Sequence, residues 1–324
     1  MTVEPINLVF LGCGLITGFH SWILARRGDI RRFYASREVA RAGAYNRRFH
    51  GGGFFEGYEA ALADPRIEVA VVATPPLTHL DLTLKGLWAG KDVIVEKPAF
   101  LMAGDFDIIR RTQEETGRRV FVAENYCYKP LVLRLYEIVT SGALGEILFI
   151  YVNAMKYQRT GNWRDNARLA GGGALFEGGV HWINMMANLG LTLSSARGIQ
   201  VGSLEELERT MLVSVRYAEG AAGLLAHSWE TPSLFRGLRL STIYGRGGSA
   251  TFESNGLMIL VNGLRKQLIF PAFTDITGHR AMWRDFIDCL RSGAIPRMTL
   301  EQAERDLALI KAIYQSAGTA PEAI

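Results

Sequence analysis

The chain is poor in cysteine, in long apolar runs and in blocks of like charge. Its three cysteines, Cys13, Cys127 and Cys289, are odd in number and form no Cys-x-x-Cys pair, which excludes a disulfide framework and a zinc knuckle. Each reads as a small buried apolar residue. The longest apolar runs, such as Val69–Ala73, are strand-sized and far short of the ~20 residues that cross a bilayer, so no membrane partner is expected. Met1–Glu4 lack the cationic stretch and apolar segment of a signal peptide, and a cytoplasmic protein is expected. Lys plus Arg number 36 against 32 Asp plus Glu, a net charge of +4 without a basic block, which argues against nucleic acid as the main ligand.

What the sequence does have is core. Across 324 residues, 48% are hydrophobic and 21% charged, ordinary for a globular protein and enough for two domains of ~150 residues. In the first part, short β-rich runs alternate with helical stretches. Ile6–Leu11, Ile30–Ala35, Val69–Ala73, Asp92–Val95 and Val120–Ala123 are the expected strands, with helices over Leu80–Ala89 and Phe106–Thr116. That rhythm implies a parallel α/β sheet whose loops bind ligand at one edge. After Pro130 come a helix, Leu131–Ser141, and a strand, Ile147–Ala154. Met211–Tyr217, Ala221–Ser228, Leu238–Tyr244, Ala250–Glu253, Leu257–Val261 and Gln267–Phe270 then follow without a long helix between them, as in a predominantly antiparallel sheet. Helices over His279–Arg291 and Leu300–Ser316 close the chain.

The first strand runs into Gly12-Cys13-Gly14-Leu15-Ile16-Thr17-Gly18, the context of a dinucleotide fingerprint. Gly12 permits the tight turn, and Gly14 lets backbone approach a pyrophosphate held at a helix N-terminus. Thr17 stands where the third glycine is usual, with Gly18 next. At the end of the second strand, where a carboxylate marks NAD sites, the chain has Ser36 and Arg37, with Arg41 one turn on. A hydroxyl and two guanidinium groups suit a 2′-phosphate, so NADP is the expected cofactor, with NAD possible in its place.

At Ala73-Thr74-Pro75-Pro76-Leu77-Thr78-His79, and again at Ala89-Gly90-Lys91-Asp92-Val93-Ile94-Val95-Glu96-Lys97-Pro98, the sequence resembles the glucose–fructose oxidoreductase / inositol dehydrogenase / MocA family. His20 beside the glycine loop, the Gly171-Gly172-Gly173 segment leading to His181, and Glu301–Ala317 extend the likeness over essentially the whole chain. The resemblance implies a Rossmann domain, 1–124, and an α+β domain, 125–324, for substrate and oligomerisation. The open sheet of the second often forms the oligomer interface, so a homodimer or homotetramer is expected, with the nicotinamide between the domains. Cofactor-lining positions would be Gly12, Gly14, Leu15, Ile16, Ser36, Arg37, Arg41, Thr74, Pro75, His79, Glu96, Lys97 and Asn125.

Moving hydride between a sugar-like carbon and nicotinamide needs a group that carries the hydroxyl proton and donors that polarise the carbonyl. The resemblance gives Lys97 the first role, contacting the nicotinamide ribose and the substrate hydroxyl, with Glu96 supporting it. Glu177 and His181 are four apart, a spacing that shares a helix face. There a positioned imidazole exchanges the proton and the carboxylate orients it or binds a hydroxyl. The family pattern, Asp-x-x-x-His with Asp three residues later, departs here to Glu177 and Asn184. Tyr126, Trp163, Arg164 and Asn184 are the expected substrate contacts: Trp163 an apolar wall for a ring, Arg164 a fork of donors. An acid–histidine pair without a third ligand gives no metal site. His50, His227 and His279 read as structural. The expected function is an NAD(P)-dependent dehydrogenase or reductase acting on a hydroxyl or carbonyl of a sugar, polyol or similar molecule. Redox-neutral elimination or glycoside cleavage by transient oxidation, and a non-catalytic cofactor-sensing regulator, are the alternatives.

Overall fold

The structure is a computed structural model that describes residues 4–232 and 238–318. Met1–Val3 of the N-terminal stretch lie outside them. The chain divides into two compact units, one formed by Met1–Ala123 with Met298–Leu300, the other by Glu124–Arg297 with Glu301–Ile324. Among the described residues no helix is long and apolar enough to cross a membrane.

The first unit is a six-stranded parallel sheet: β1 (Ile6–Leu11), β2 (Ile30–Ser36), β3 (Gly53–Glu56), β4 (Val69–Val72), β5 (Asp92–Glu96) and β6 (Val120–Ala123). Its order is β3-β2-β1-β4-β5-β6, so the strand order reverses beside β1, where doubly wound sheets open a crevice. Helices α1 (Leu15–Leu24), α2 (Val39–Phe49), α3 (Tyr58–Ala63), α4 (His79–Trp88) and α5 (Ala103–Thr116) connect the strands. β4 is buried at all four positions and β1 at five of six, as strands covered on both faces must be. The sixth strand, β3, is absent from the five expected ones. It is four residues long, opens on Gly53 and alternates between half-buried and exposed, so it carries no apolar run.

The second unit begins with α6 (Pro130–Thr140) and builds an eight-stranded sheet from β7 (Ile147–Met155), β8 (Leu193–Gln200), β9 (Thr210–Tyr217), β10 (Ala222–Ser228), β11 (Leu240–Gly245), β12 (Gly248–Glu253), β13 (Ile259–Asn262) and β14 (Lys266–Ile269). All pairings are antiparallel except β7 with β10. The short α7 (Ala167–Ala170) precedes α8 (Val180–Ala187), and α9 (His279–Ser292) and α10 (Leu300–Ala317) end the chain. Strand β9 buries Met211, Val213, Val215 and Tyr217 on one face in strict alternation. Two strand glycines mark where helices close on that face. A Cβ at Gly198 would meet Ile313 of α10, and one at Gly223 would meet Met186 of α8. β8 has no counterpart among the expected strands: Leu193-Ser194-Ser195-Ala196-Arg197 is too polar to read as a strand and is carried by its pairing with β9.

Candidate active site

In the first unit the glycine loop is shaped by backbone need. Gly12 has φ +106°, and a Cβ there would sit 2.6 Å from the Ala73 carbonyl oxygen, so neither conformation nor space admits a side chain. Thr17, buried in place of a third glycine, donates its hydroxyl to the Gly12 carbonyl at 2.7 Å and braces the same turn. Gly14 caps α1 with no side-chain hydrogen bond, and nothing lies within 4 Å of a Cβ built on it. Leu15 is 91% exposed and Ile16 half-buried. The first amides of α1 thus lack side-chain caps beside an open loop, which fits a pyrophosphate.

At the end of β2, Ser36 is buried and its Oγ accepts the Glu38 N–H, while Arg37 and Arg41 are exposed. Burial raises the pKa of the Tyr58 phenol, and the two guanidinium groups oppose that rise. Burial pushes the Cys13 thiol up to about 11 against the pull of Arg41. At the end of β4, the Thr78 hydroxyl lies 2.7 Å from that of Thr74 and donates to the Pro75 carbonyl at 2.8 Å. At the end of β5, Glu96 is held on both oxygens: Oε1 lies 2.7 Å from His20 Nε2 of α1, and Oε2 accepts the Lys97 N–H at 3.3 Å. The backbone that carries the half-buried Lys97 is thereby tied to the helix that starts at the glycine loop.

In the second unit Arg164 lies over the Trp163 ring, 4.4 Å from its centroid, and donates from Nε to Glu177 Oε1 at 3.0 Å. Glu177 belongs to a π-helical turn, Leu175–Gly179, that leads into α8, where His181 sits. Such wide turns recur at functional sites. His181 Nδ1 is 2.7 and 2.9 Å from the two Glu124 oxygens, and Tyr126 stacks on the imidazole at 4.6 Å and 13°. Behind this pair, Lys129 stands over Tyr126 at 4.5 Å and Arg239 over Trp182 at 5.4 Å. Burial, then the nearby Arg239 charge, brings the Lys129 ammonium down to about 8. His227 is fully buried, and the same desolvation takes its pKa down to about 3, so it is neutral.

The turn that feeds α8 hangs on a buried acid. Glu208 Oε1 accepts the Leu175 N–H at 2.6 Å and the Tyr314 hydroxyl at 2.9 Å, and a side chain at Gly173 would collide with it. Burial raises its pKa from 4.5 to about 7. A raised carboxyl pKa favours the folded state fully below the unfolded value and loses that contribution as pH rises through the folded one. The stability advantage of Glu208→Gln over the wild type should therefore grow between about pH 5 and about pH 8, by up to about 3 kcal/mol. Urea unfolding of both proteins across that window checks it; a pH-independent difference would contradict the assignment.

Residues 6–124 match the oxidoreductase family with NAD-binding Rossmann fold, GFO_IDH_MocA, and residues 132–251 match the GFO/IDH/MocA C-terminal domain. The chain belongs to the GFO/IDH/MocA oxidoreductase family. It is 27% identical to the scyllo-inositol 2-dehydrogenase (NADP(+)) of Bacillus subtilis, over 58% of this chain and 52% of that enzyme. Several curated relatives, that one among them, are matched over only about half their length. Identity to the D-glucoside 3-dehydrogenase of Escherichia coli is 21%, over 98% of this chain and 97% of that enzyme. The solved structure of levoglucosan dehydrogenase in complex with NADH and levoglucosan is similar, with a TM-score of 0.84 at 20% identity, covering 98% of both chains. At that identity the likeness speaks for the fold alone.

Three positions of this GFO/IDH/MocA chain depart from the contacts expected of them. His79 is fully buried, its Nδ1 2.9 Å from the Pro98 carbonyl oxygen and its Nε2 2.9 Å from that of Thr74, so it ties two loops together and offers a cofactor no surface. Asn184 is fully buried and donates to Asp306 Oδ2 at 2.6 Å; it is an internal brace to α10 and cannot touch substrate. Asn125 is buried and donates to the Thr277 carbonyl at 2.6 Å, an anchor within the second unit. Conversely, Glu124 was not singled out in the sequence. One residue before the Asn125-Tyr126 loop, it carried no spacing signal, because its partner His181 is 57 residues away.

Proposed function

We propose that this chain is an NADP-preferring dehydrogenase or reductase acting on a hydroxyl or carbonyl of a sugar, polyol or related small molecule. The observation that carries the reading is Lys97, set at the end of β5 on a backbone fixed through Glu96 and His20 to the helix of the glycine loop. The nicotinamide, when bound, supplies the acceptor or donor of hydride. Lys97 and His181 exchange the hydroxyl proton, and Arg164, on the face of Trp163 and paired with Glu177, donates to the ring hydroxyls of the substrate. Homologues named as sugar and polyol dehydrogenases support the substrate class. Incubating the protein with D-glucose, D-xylose, methyl glucoside, levoglucosan or myo-inositol and either oxidised cofactor tests the reading. Stoichiometric reduced cofactor supports it. Cofactor binding with no turnover on any of them counts against it.

For the cofactor, Arg37 and Arg41 beside Ser36 form the 2′-phosphate site of this reading. Arg37→Glu and Arg41→Glu should each weaken NADPH binding by about 10- to 100-fold and leave NADH nearly unchanged, the worth of one charge-assisted hydrogen bond. Fluorescence titration with both cofactors measures it, and an equal loss for the two would remove the arginines from phosphate recognition.

We place self-association on the outer face of the eight-stranded sheet. Phe149 and Tyr244 stack there at 6.3 Å, and in the next row of the same face, two residues along each strand, Leu260 pairs with Leu268; all four are exposed. An apolar face of this kind favours a second copy of the chain.

A further inference from the structure

Two buried contacts converge on one carboxylate. Glu124 is 1% exposed; its Oε1 accepts the Tyr126 N–H at 2.9 Å, and both oxygens lie within 2.9 Å of His181 Nδ1. The neighbouring acids are engaged with other groups, Glu177 accepting from Arg164 and Asp306 from Asn184 and Arg305. A carboxylate oxygen that accepts an amide N–H accepts from the imidazole as well, so the hydrogen at this contact belongs to Nδ1. In the neutral ring Nε2 then carries the lone pair. The Tyr126 ring, whose own N–H is held by the same carboxylate, covers one face of the imidazole and fixes its plane.

We propose that Glu124 is a positioning residue that locks His181 as the Nδ1–H tautomer, leaving Nε2 as the atom that takes up and returns the substrate hydroxyl proton. Its part in turnover rests on the oxidoreductase reading above; the tautomer does not. The same carboxylate couples two elements distant in sequence, the turn at Asn125–Tyr128 and α8, so the base is aimed by a residue outside its own helix.

Glu124→Gln is the informative variant. The amide keeps one oxygen for the Tyr126 N–H and turns its NH2 toward Nδ1, which must then accept, moving the ring hydrogen to Nε2. Spectra of protein carrying 15N-labelled histidine, with His181 assigned by its loss in His181→Asn, should report the Nδ1–H tautomer in the wild type and Nε2–H in Glu124→Gln. On whichever of the five compounds the wild type oxidises fastest, kcat should fall by roughly 100-fold or more, with KM and NADPH affinity within several-fold. An Nε2–H tautomer in the wild type would overturn the proposal, as would a variant that keeps kcat within about threefold. If Glu124→Gln does not fold, the wild-type spectrum decides alone. A wild type that oxidises none of the compounds sinks the oxidoreductase reading, while the tautomer still decides this one.

Discussion

Lys97→Ala is expected to abolish turnover, by about 10^3-fold or more, while NADPH and NADH affinities stay within several-fold of the wild type. The asymmetry follows from how the residue is held. The Lys97 backbone N–H is held by the Glu96 carboxylate, which itself lies 2.7 Å from His20 Nε2, and the residue is half-buried. Truncation at Cβ therefore removes the ammonium and leaves the strand end and the glycine loop in place. Lys97→Arg should be nearly as inactive, because a guanidinium keeps the positive charge but cannot give up its proton. Steady-state kinetics with fluorescence titration of each variant checks both statements. Normal turnover in Lys97→Ala would falsify the proposed role, and equal losses in binding and turnover would make Lys97 a cofactor contact only.

Gly12→Ala is expected to cost about 2–6 kcal/mol of stability and to eliminate cofactor binding. A left-handed φ of +106° in an L residue costs about 1–3 kcal/mol, and a methyl 2.6 Å from the Ala73 carbonyl oxygen adds about 1–3 kcal/mol of overpacking. Relief by moving Ala73 would shift Thr74, whose Cγ2 is 3.1 Å from the same methyl, and with it the end of β4. Gly14→Ala provides the contrast: no atom lies within 4 Å of its Cβ, so the melting temperature should hold while cofactor affinity drops. The lost affinity would come from a methyl placed where backbone must approach the pyrophosphate. Thermal denaturation and cofactor titration of the two variants separate fold from site. A Gly12→Ala protein that melts within about 2 °C of the wild type would refute the steric argument.

The two glycines show how a sequence motif and its physical cause relate. Gly-x-Gly after a strand announces a dinucleotide loop with Gly12 at its turn, and the structure supplies the cause at Gly12, a φ of +106° against the Ala73 carbonyl, while the space around Gly14 is open. Thr17 is a similar case: a departure from the motif on paper, it donates a hydrogen bond to Gly12 and braces the turn from within. His79 and Asn184 went the other way. Both stand in motifs expected to line a site, and both are buried, the His79 ring nitrogens against backbone carbonyls and the Asn184 amide N–H donating to Asp306, which no local pattern could reveal.

The α/β frame of the first unit and the antiparallel sheet of the second are legible in the chain, because apolar periodicity and turn residues act over a few positions. So are the glycine loop, Glu96-Lys97 and the candidacy of His181, since each is a contiguous run. Tertiary structure alone decided β3 and β8, which exist through pairing, and the partners of the charged groups. Glu177 is paired with Arg164, 13 residues away, and His181 with Glu124, 57 residues away. Hydrogen bonds between side chains reach about 3 Å whatever the sequence separation, so the fold, and no spacing rule, chooses which acid meets which base.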